Sequence, residues 1–254
     1  MMPEGPEVLT MAERNQLELS RSSDWSLTQM KIVSGRYLKE SPAGFQKAIE
    51  ILPSKFKQVK TKGKFTYFSF EHFTLQATLG LTGWWTFDAN GSGRYGEEMR
   101  NMRMQFVFHS PELDQTKFLS YYDDLSYGTV KISFDSLELE KKLNDLGVCW
   151  LTEHPSFEQF YSIVQSIKPT TNVAVFLMNQ KKTAGIGNYI LSEVLYLAGI
   201  HPWATIGALS LTDWKQLYDA ICHVFTASYR SQSPLYQLST AMSSPSDASN
   251  ALPS

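Results

Sequence analysis

Between residues 30 and 133 the chain runs in short apolar stretches rich in Val, Ile, Phe, Tyr and Thr, broken by Gly, Asn, Ser and Pro. The stretches at Phe65–Phe70, 84–87, 104–108 and 129–134 predict strands, and so many close together predict a β-sandwich or barrel. The segment 89–96 (ANGSGRYG) predicts a hairpin loop. From Leu137 onward the spacing turns helical, with helices expected near 156–167, 171–180, 188–198 and 211–230. Ser156 before Phe157-Glu158, and Leu211-Thr212-Asp213, mark two of the starts. Ahead of the strands, 11–19 suits a short helix. Two prolines in Pro3-Glu4-Gly5-Pro6 argue that the segment before it is an ordered arm or a frayed end and not regular helix.

The period changes between Gly147 and Pro155, which places the expected domain boundary there. The fold class is α+β. A β-sandwich is expected over 1–150, a helical domain over 151–232, and a disordered Ser-rich tail over 233–254, whose Ser, Pro and Ala cannot bury enough surface to order themselves. A chain of 254 residues suits two such domains.

Hydrophobic residues at 43% and charged residues at 19% are ordinary globular values and exclude a largely disordered or coiled-coil protein. With no apolar run of the roughly 18–20 residues that cross a bilayer and no signal-peptide pattern, a soluble intracellular protein without membrane attachment is expected. It would sit in the nucleus of a eukaryote or the cytoplasm of a prokaryote. Cys149 and Cys222 stand in no Cys-x-x-Cys or Cys/His cluster, so neither disulfides, a metal nor another cofactor is expected. A net charge of −2 argues weakly against nucleic acid. The local distribution says more: residues 55–64 hold five lysines and no acid.

Four elements can carry chemistry. In Pro3-Glu4-Gly5-Pro6-Glu7, a proline exposed as the first residue is a secondary amine. An α-amine titrates near 7.7–8.0, against roughly 10.4 for lysine, so it is far more nucleophilic at neutral pH. Such an amine can attack a sugar carbon while Glu4 passes protons. Lys64, after Lys62-Gly63, can hold a phosphate or assist proton transfer. In 79–84 (LGLTGW) two glycines tighten a turn and leave Leu81 projecting, as a wedge between bases does. Residues 177–188 (LMNQKKTAGIGN) place Gly185 and Gly187 between two helices, with Asn188 and neighbouring N–H groups offered to an anion. Glu193 lies in the second of those helices. Taken singly, each element has an ordinary reading as a mobile arm, a solvated turn, a β-turn core residue or an exposed acid.

In combination they resemble the formamidopyrimidine-DNA glycosylase/endonuclease VIII family. The resemblance rests on Pro-Glu-Gly-Pro-Glu, Lys-Gly-Lys-Phe, Leu-Gly-Leu-Thr-Gly, the Gly-x-Gly-Asn-Tyr turn with Ser192-Glu193, and 198–202 (AGIHP), and runs from residue 2 to about 230. Residues 34–37 (SGRY) with 80–84 look more like the endonuclease VIII side. The resemblance implies a β-sandwich joined to a helix-two-turn-helix domain with DNA in the cleft between. It implies a base-excision-repair glycosylase and abasic-site lyase, acting on oxidised bases, pyrimidines above 8-oxoguanine. Pro3 matches the Schiff-base nucleophile, Glu4 the acid/base residue and Lys64 the lysine of elimination and phosphate binding. Glu7 and Glu193 match acids lining the active site. The DNA-binding set is Leu81, Arg103, Leu125, Tyr127, Lys168, Gly187 and Asn188. The partner is damaged DNA, single- or double-stranded, bound by a monomer.

Three features depart from the family pattern. The chain opens Met1-Met2-Pro3, so a free Pro3 amine requires a start at Met2 or its removal. Where the family reads Asp-Pro-Arg-Arg-Phe-Gly, residues 123–128 read DDLSYG, without either arginine. Leu125 and Tyr127 keep the means to wedge and stack, which favours single-stranded or bubble DNA. Nothing after Ser231 resembles the family's C-terminal zinc finger or its zincless equivalent. A shortened relative that binds DNA with little or no catalysis therefore stays open as a second reading, and an interaction module without nucleic acid as a third.

Overall fold

The computed structural model describes residues 3–88 and 101–233. The expected hairpin loop at 89–96 and all of the expected tail beyond Ser233 lie outside those residues.

Helix α1 (Gly5–Glu18) begins earlier than the sequence suggests and takes Pro6 into its first turn. The expectation of a non-helical arm over 3–6 is corrected for Gly5 and Pro6, because a first-turn proline lacks only an N–H that has no partner in the helix anyway. Glu7 secures this start by accepting the Glu4 N–H at 2.9 Å. Pro3 and Glu4 are buried, so the arm is ordered.

Strands β1 (Ser26–Ile32), β2 (Ser54–Lys62), β3 (Phe65–Phe70), β4 (Thr74–Thr78), β5 (Gly83–Asp88), β6 (Met102–Ser110), β7 (Gln115–Asp123) and β8 (Thr129–Ser133) follow, with helix α2 (Phe45–Glu50) between β1 and β2. Their order is β5-β7-β6-β1-β2-β3-β4-β8. Strand β1 pairs with β6 over most of its length but meets β2 only at Ser26 and Leu27. The sheet turns a corner there, which gives the two layers of the expected sandwich. Aromatic side chains join the layers: Phe68 lies 5.1 Å from Trp85, and Phe56 lies 6.0 Å edge-on to Phe108. The alternating burial of β2 points Phe56 and Val59 inward and leaves Lys55, Lys57 and Lys60 in water.

After helix α3 (Ser136–Asp145), β9 (Val148–Cys149) pairs in parallel with β10 (Thr183–Ala184). Helices α4 (Phe157–Gln165), α5 (Val173–Met178), α6 (Asn188–Leu197) and α7 (Leu211–Gln232) enclose a second core built on Trp150, Phe160, Phe176, Ile190, Trp214 and Phe225. Ser156 and Ser210 cap α4 and α7, their hydroxyls accepting the N–H of Gln159 and Asp213. Ser233, read from composition as the head of the tail, is instead buried and donates its hydroxyl to Glu13 at 2.8 Å. A single good acceptor on α1 keeps it in the body of the protein. Among the described residues, no helix is long and apolar enough to cross a membrane.

Candidate active site and nucleic-acid interface

Three glycine-bearing turns from distant parts of the chain meet at one point. Gly5 donates its N–H to the Gly185 carbonyl at 2.9 Å. A Cβ on Gly63, in the β2–β3 hairpin, would lie 2.7 Å from the Gly185 nitrogen. Gly63 and Gly185 have φ of +57° and +104°, the left-handed region where a side chain is strained. Glycine is needed here both for that conformation and for backbones to touch. Cys149 supports the hairpin from below, its Sγ accepting the Gly63 N–H at 3.3 Å.

The contact brings two functional side chains over one atom. A Cβ on Gly187 would collide with both the Glu4 carboxylate and the Lys64 ammonium. Glu4, 1% exposed, accepts the N–H groups of Gly187 at 2.6 Å, Tyr189 at 3.0 Å and Ile190 at 3.3 Å. It therefore caps α6, where the helix dipole favours a negative charge. Burial raises the Glu4 pKa above the ordinary carboxylate value, while Lys64 and the three N–H groups pull it back. Burial also lowers the Lys64 pKa, against the opposing pull of Glu4 and Glu7. The pair is thus a carboxyl that holds its proton more readily than in water and an amine that gives its proton up more readily. Both suit proton transfer.

Glu7, 7% exposed, lies behind Glu4. Besides the Glu4 N–H it accepts the Tyr189 hydroxyl at 2.8 Å, the Ser228 hydroxyl at 3.2 Å and the Gln232 amide at 2.8 Å. Burial raises the Tyr189 pKa, which keeps it a donor. Sequence reasoning missed Tyr189, Ser228 and Gln232. Tyr189 stood in the Gly-x-Gly-Asn-Tyr motif, but nothing in the α7 sequence distinguishes Ser228 and Gln232. A cavity of about 510 Å³ opens beside Glu7, lined among others by Arg14, Trp84 and Gln232.

The Gly187–Asn188 turn differs from the expected anion site. The N–H groups neighbouring Asn188, expected to be free for an outside anion, are occupied at Gly187, Tyr189 and Ile190 by the Glu4 carboxylate. Gly187, expected among the DNA-binding residues, is a place of close approach whose N–H is donated to Glu4. The Asn188 side chain stays exposed at the start of α6. Glu193, expected to line the active site, is exposed on α6 and outside the Glu4–Glu7 network, because that helix turns Ile190, Val194 and Leu195 inward. Lys168 is exposed in the turn after α4, away from these groups.

A second cluster forms at the other end of β5. The Gly80 turn abuts the 123–128 loop so closely that a Cβ on Gly80 would lie 2.6 Å from the Gly128 nitrogen. Buried Asp123 ties the two together, accepting from the Thr82 hydroxyl and the Gly128 N–H at 2.8 Å each. Leu81, Leu125 and Tyr127 stand outward side by side, at 39%, 53% and 64% exposure. Arg103, expected as a DNA contact, is half-buried and braces this loop. Its guanidinium donates to the carbonyls of Asp123 at 2.8 Å and Asp124 at 3.1 Å and to the Ser34 hydroxyl at 2.9 Å. Arg36 likewise donates to the Gly128 carbonyl. Among the described residues, no group of three His, Cys, Asp or Glu side chains is placed to hold a metal.

Family models match both halves of this arrangement: the formamidopyrimidine-DNA glycosylase N-terminal domain over residues 2–130 and the formamidopyrimidine-DNA glycosylase H2TH domain over 150–237. The chain belongs to the formamidopyrimidine-DNA glycosylase/endonuclease VIII family. It is thus a member of a family of DNA-repair glycosylases. The formamidopyrimidine-DNA glycosylase of Shouchella clausii is 28% identical over 231 residues, covering 87% of this chain and 75% of that one. That of Mycoplasma pneumoniae is 26% identical over 218 residues, covering 84% and 73%. Among solved structures, the Lactococcus lactis protein in complex with abasic-site DNA superposes with a TM-score of 0.72 at 22% identity, covering 89% of this chain and 78% of that one. That likeness extends the family fold to the α+β arrangement described above.

Proposed function

We propose that this protein is a bifunctional DNA glycosylase and abasic-site lyase that removes oxidised bases, pyrimidines above 8-oxoguanine, through a Schiff base on Pro3. The observation that carries the reading is the meeting of the Glu4 carboxylate and the Lys64 ammonium on the Cα of Gly187, one peptide from Pro3. With Pro3 as the first residue, its nitrogen lone pair attacks C1′, the bond from C1′ to the base breaks, the base leaves with that electron pair and takes up a proton from water, and the Pro3 nitrogen loses its N–H proton. A proton from Glu4 on the sugar ring oxygen opens the ring and leaves the iminium. Lys64 then serves the elimination and holds a flanking phosphate, and Asn188 takes a second phosphate. Leu81, Leu125 and Tyr127 fill the space of the everted nucleotide. Its extrusion costs a few kcal/mol and is cheapest at a lesion or in an unpaired strand. The pyrimidine preference rests on the sequence likeness of residues 34–37 and 80–84 to the endonuclease VIII side.

The test uses protein processed to begin at Pro3, with borohydride trapping on abasic DNA and on DNA holding an oxidised pyrimidine or 8-oxoguanine, single-stranded and duplex. A covalent adduct linked through the Pro3 nitrogen, and absent when Met2 still acylates that nitrogen, is expected, formed faster with the pyrimidine. Salt-sensitive binding that survives Pro3→Gly, with no adduct from the unaltered protein, overturns the reading in favour of a binding-only relative.

A further inference from the structure

We propose that Ser228 and Gln232, in the last turns of α7, are positioning residues that orient the Pro3 amine through Glu7. The inference rests on the lyase reading above. An ionised carboxylate offers about four lone-pair sites. Protein donors on three elements fill those of Glu7: the Glu4 N–H of the N-terminal arm, Tyr189 of α6, and Ser228 and Gln232 of α7. Only the first is local. The other three decide where the carboxylate points, and so where it holds the Glu4 N–H.

That N–H belongs to the Pro3–Glu4 peptide, which is planar. Fixing it fixes the Pro3 carbonyl and the direction of the bond to the Pro3 Cα, leaving a single backbone rotation between the anchored plane and the ring nitrogen. The nucleophile is therefore aimed by a chain of two hydrogen bonds beginning on α7. Gln232 is itself held. Its side-chain amide also lies 3.1 Å from the Ser228 hydroxyl, and its backbone carbonyl accepts from Arg14 at 2.9 Å. Glu13, one turn or more along α1, accepts the Tyr229 and Ser233 hydroxyls at 2.7 Å and 2.8 Å. The end of α7 is thus fastened along α1 at Glu7, Glu13 and Arg14, and a shift of that end is passed to the arm that carries Pro3.

The test measures three quantities on Ser228→Ala, Gln232→Ala and Ser228→Thr, each processed to begin at Pro3. These are the single-turnover rate of adduct formation at saturating abasic DNA, the Kd for that DNA, and the exchange rate of the Glu4 amide hydrogen. A hydrogen bond to a charged group is worth at least about 1.4 kcal/mol, a factor of ten in rate. The two alanine variants are expected to form adduct about tenfold more slowly with Kd within about twofold, and Ser228→Thr, which keeps the hydroxyl, to restore the rate. The Glu4 amide is expected to exchange about tenfold faster in the alanine variants. An unchanged rate, a rate that falls while Kd rises with it, or a threonine variant as slow as the alanine overturns the inference. If the unaltered protein forms no adduct, the lyase reading fails separately, and amide exchange left unchanged by the alanine substitutions overturns the positioning by itself.

Discussion

At the scale of the residue, Glu4 does two jobs that pull its chemistry in opposite directions. As the cap of α6 it is best ionised, since three N–H groups and a helix dipole face it. As a buried group it is best able to hold a proton, and burial has the larger effect, because its pKa is raised. The consequence for stability has a definite sign. The folded protein binds the Glu4 proton more tightly than the unfolded chain, so this group contributes less to stability as pH rises from roughly 4.3 through its folded value. Glu4→Gln removes that contribution. Urea unfolding from pH 4 to 7 should therefore show the stability of the unaltered protein falling relative to Glu4→Gln as pH rises. A constant difference would mean that capping balances burial, and one of the opposite slope that capping outweighs it. These roles were partly legible in the sequence: Pro3, Glu4 and Lys64 lie in short motifs whose chemistry is local. The Glu7 partners were not, because Tyr189 is 182 positions away and Gln232 is 225.

At the scale of the element, the 123–128 loop shows why charge in a sequence does not identify a nucleic-acid contact. Arg36 and Arg103 are cations close to a predicted wedge, and Arg103 was accordingly expected to meet DNA. Both donate to carbonyls of the loop, which turns sharply at Ser126, where φ is +58°, and Arg103 also donates to the Ser34 hydroxyl. A phosphate contact adds close to one unit to the salt slope of DNA binding. Arg103→Ala is expected to leave that slope unchanged while slowing adduct formation on duplex DNA, where the wedge must hold its place. Titration across a salt series decides it, and a slope smaller by about one would return Arg103 to the backbone contacts. The short helices and strands were better read than this loop. Ser156 was visible as a cap because a cap is a local hydrogen bond, the 211–213 start was visible without its cap Ser210, and Phe65–Phe70 was visible because its side chains alternate between two environments.

At the scale of the whole molecule, two hydrophobic cores meet at a seam of glycines. Phe225 of the helical core stands at that seam, its ring edge 2.8 Å from where a Cβ on Gly5 would lie and 3.3 Å from one on Gly185. Phe225→Ala should lower stability by about 3–5 kcal/mol, the usual cost of emptying an aromatic site, and loosen the Gly5–Gly185 contact with it. Chemical denaturation measures the first effect, and faster exchange of the Gly5 amide reports the second. A stable variant with an unaltered Gly5 amide would show the seam to be held by α1 and α7 alone. The sequence by itself determined the strand and helix periods, the caps, the α+β class and the motif residues of the site, since each depends on side-chain alternation or on neighbours a few positions apart. Tertiary structure alone decided that Glu4 takes the α6 donors expected for an outside anion, that Arg103 braces a loop, that Glu193 faces water, and that Ser228 and Gln232 stand behind Glu7. Each of those depends on which distant backbones come within about 3 Å of one another, and hydrogen-bond geometry at that range is set by packing of the two cores.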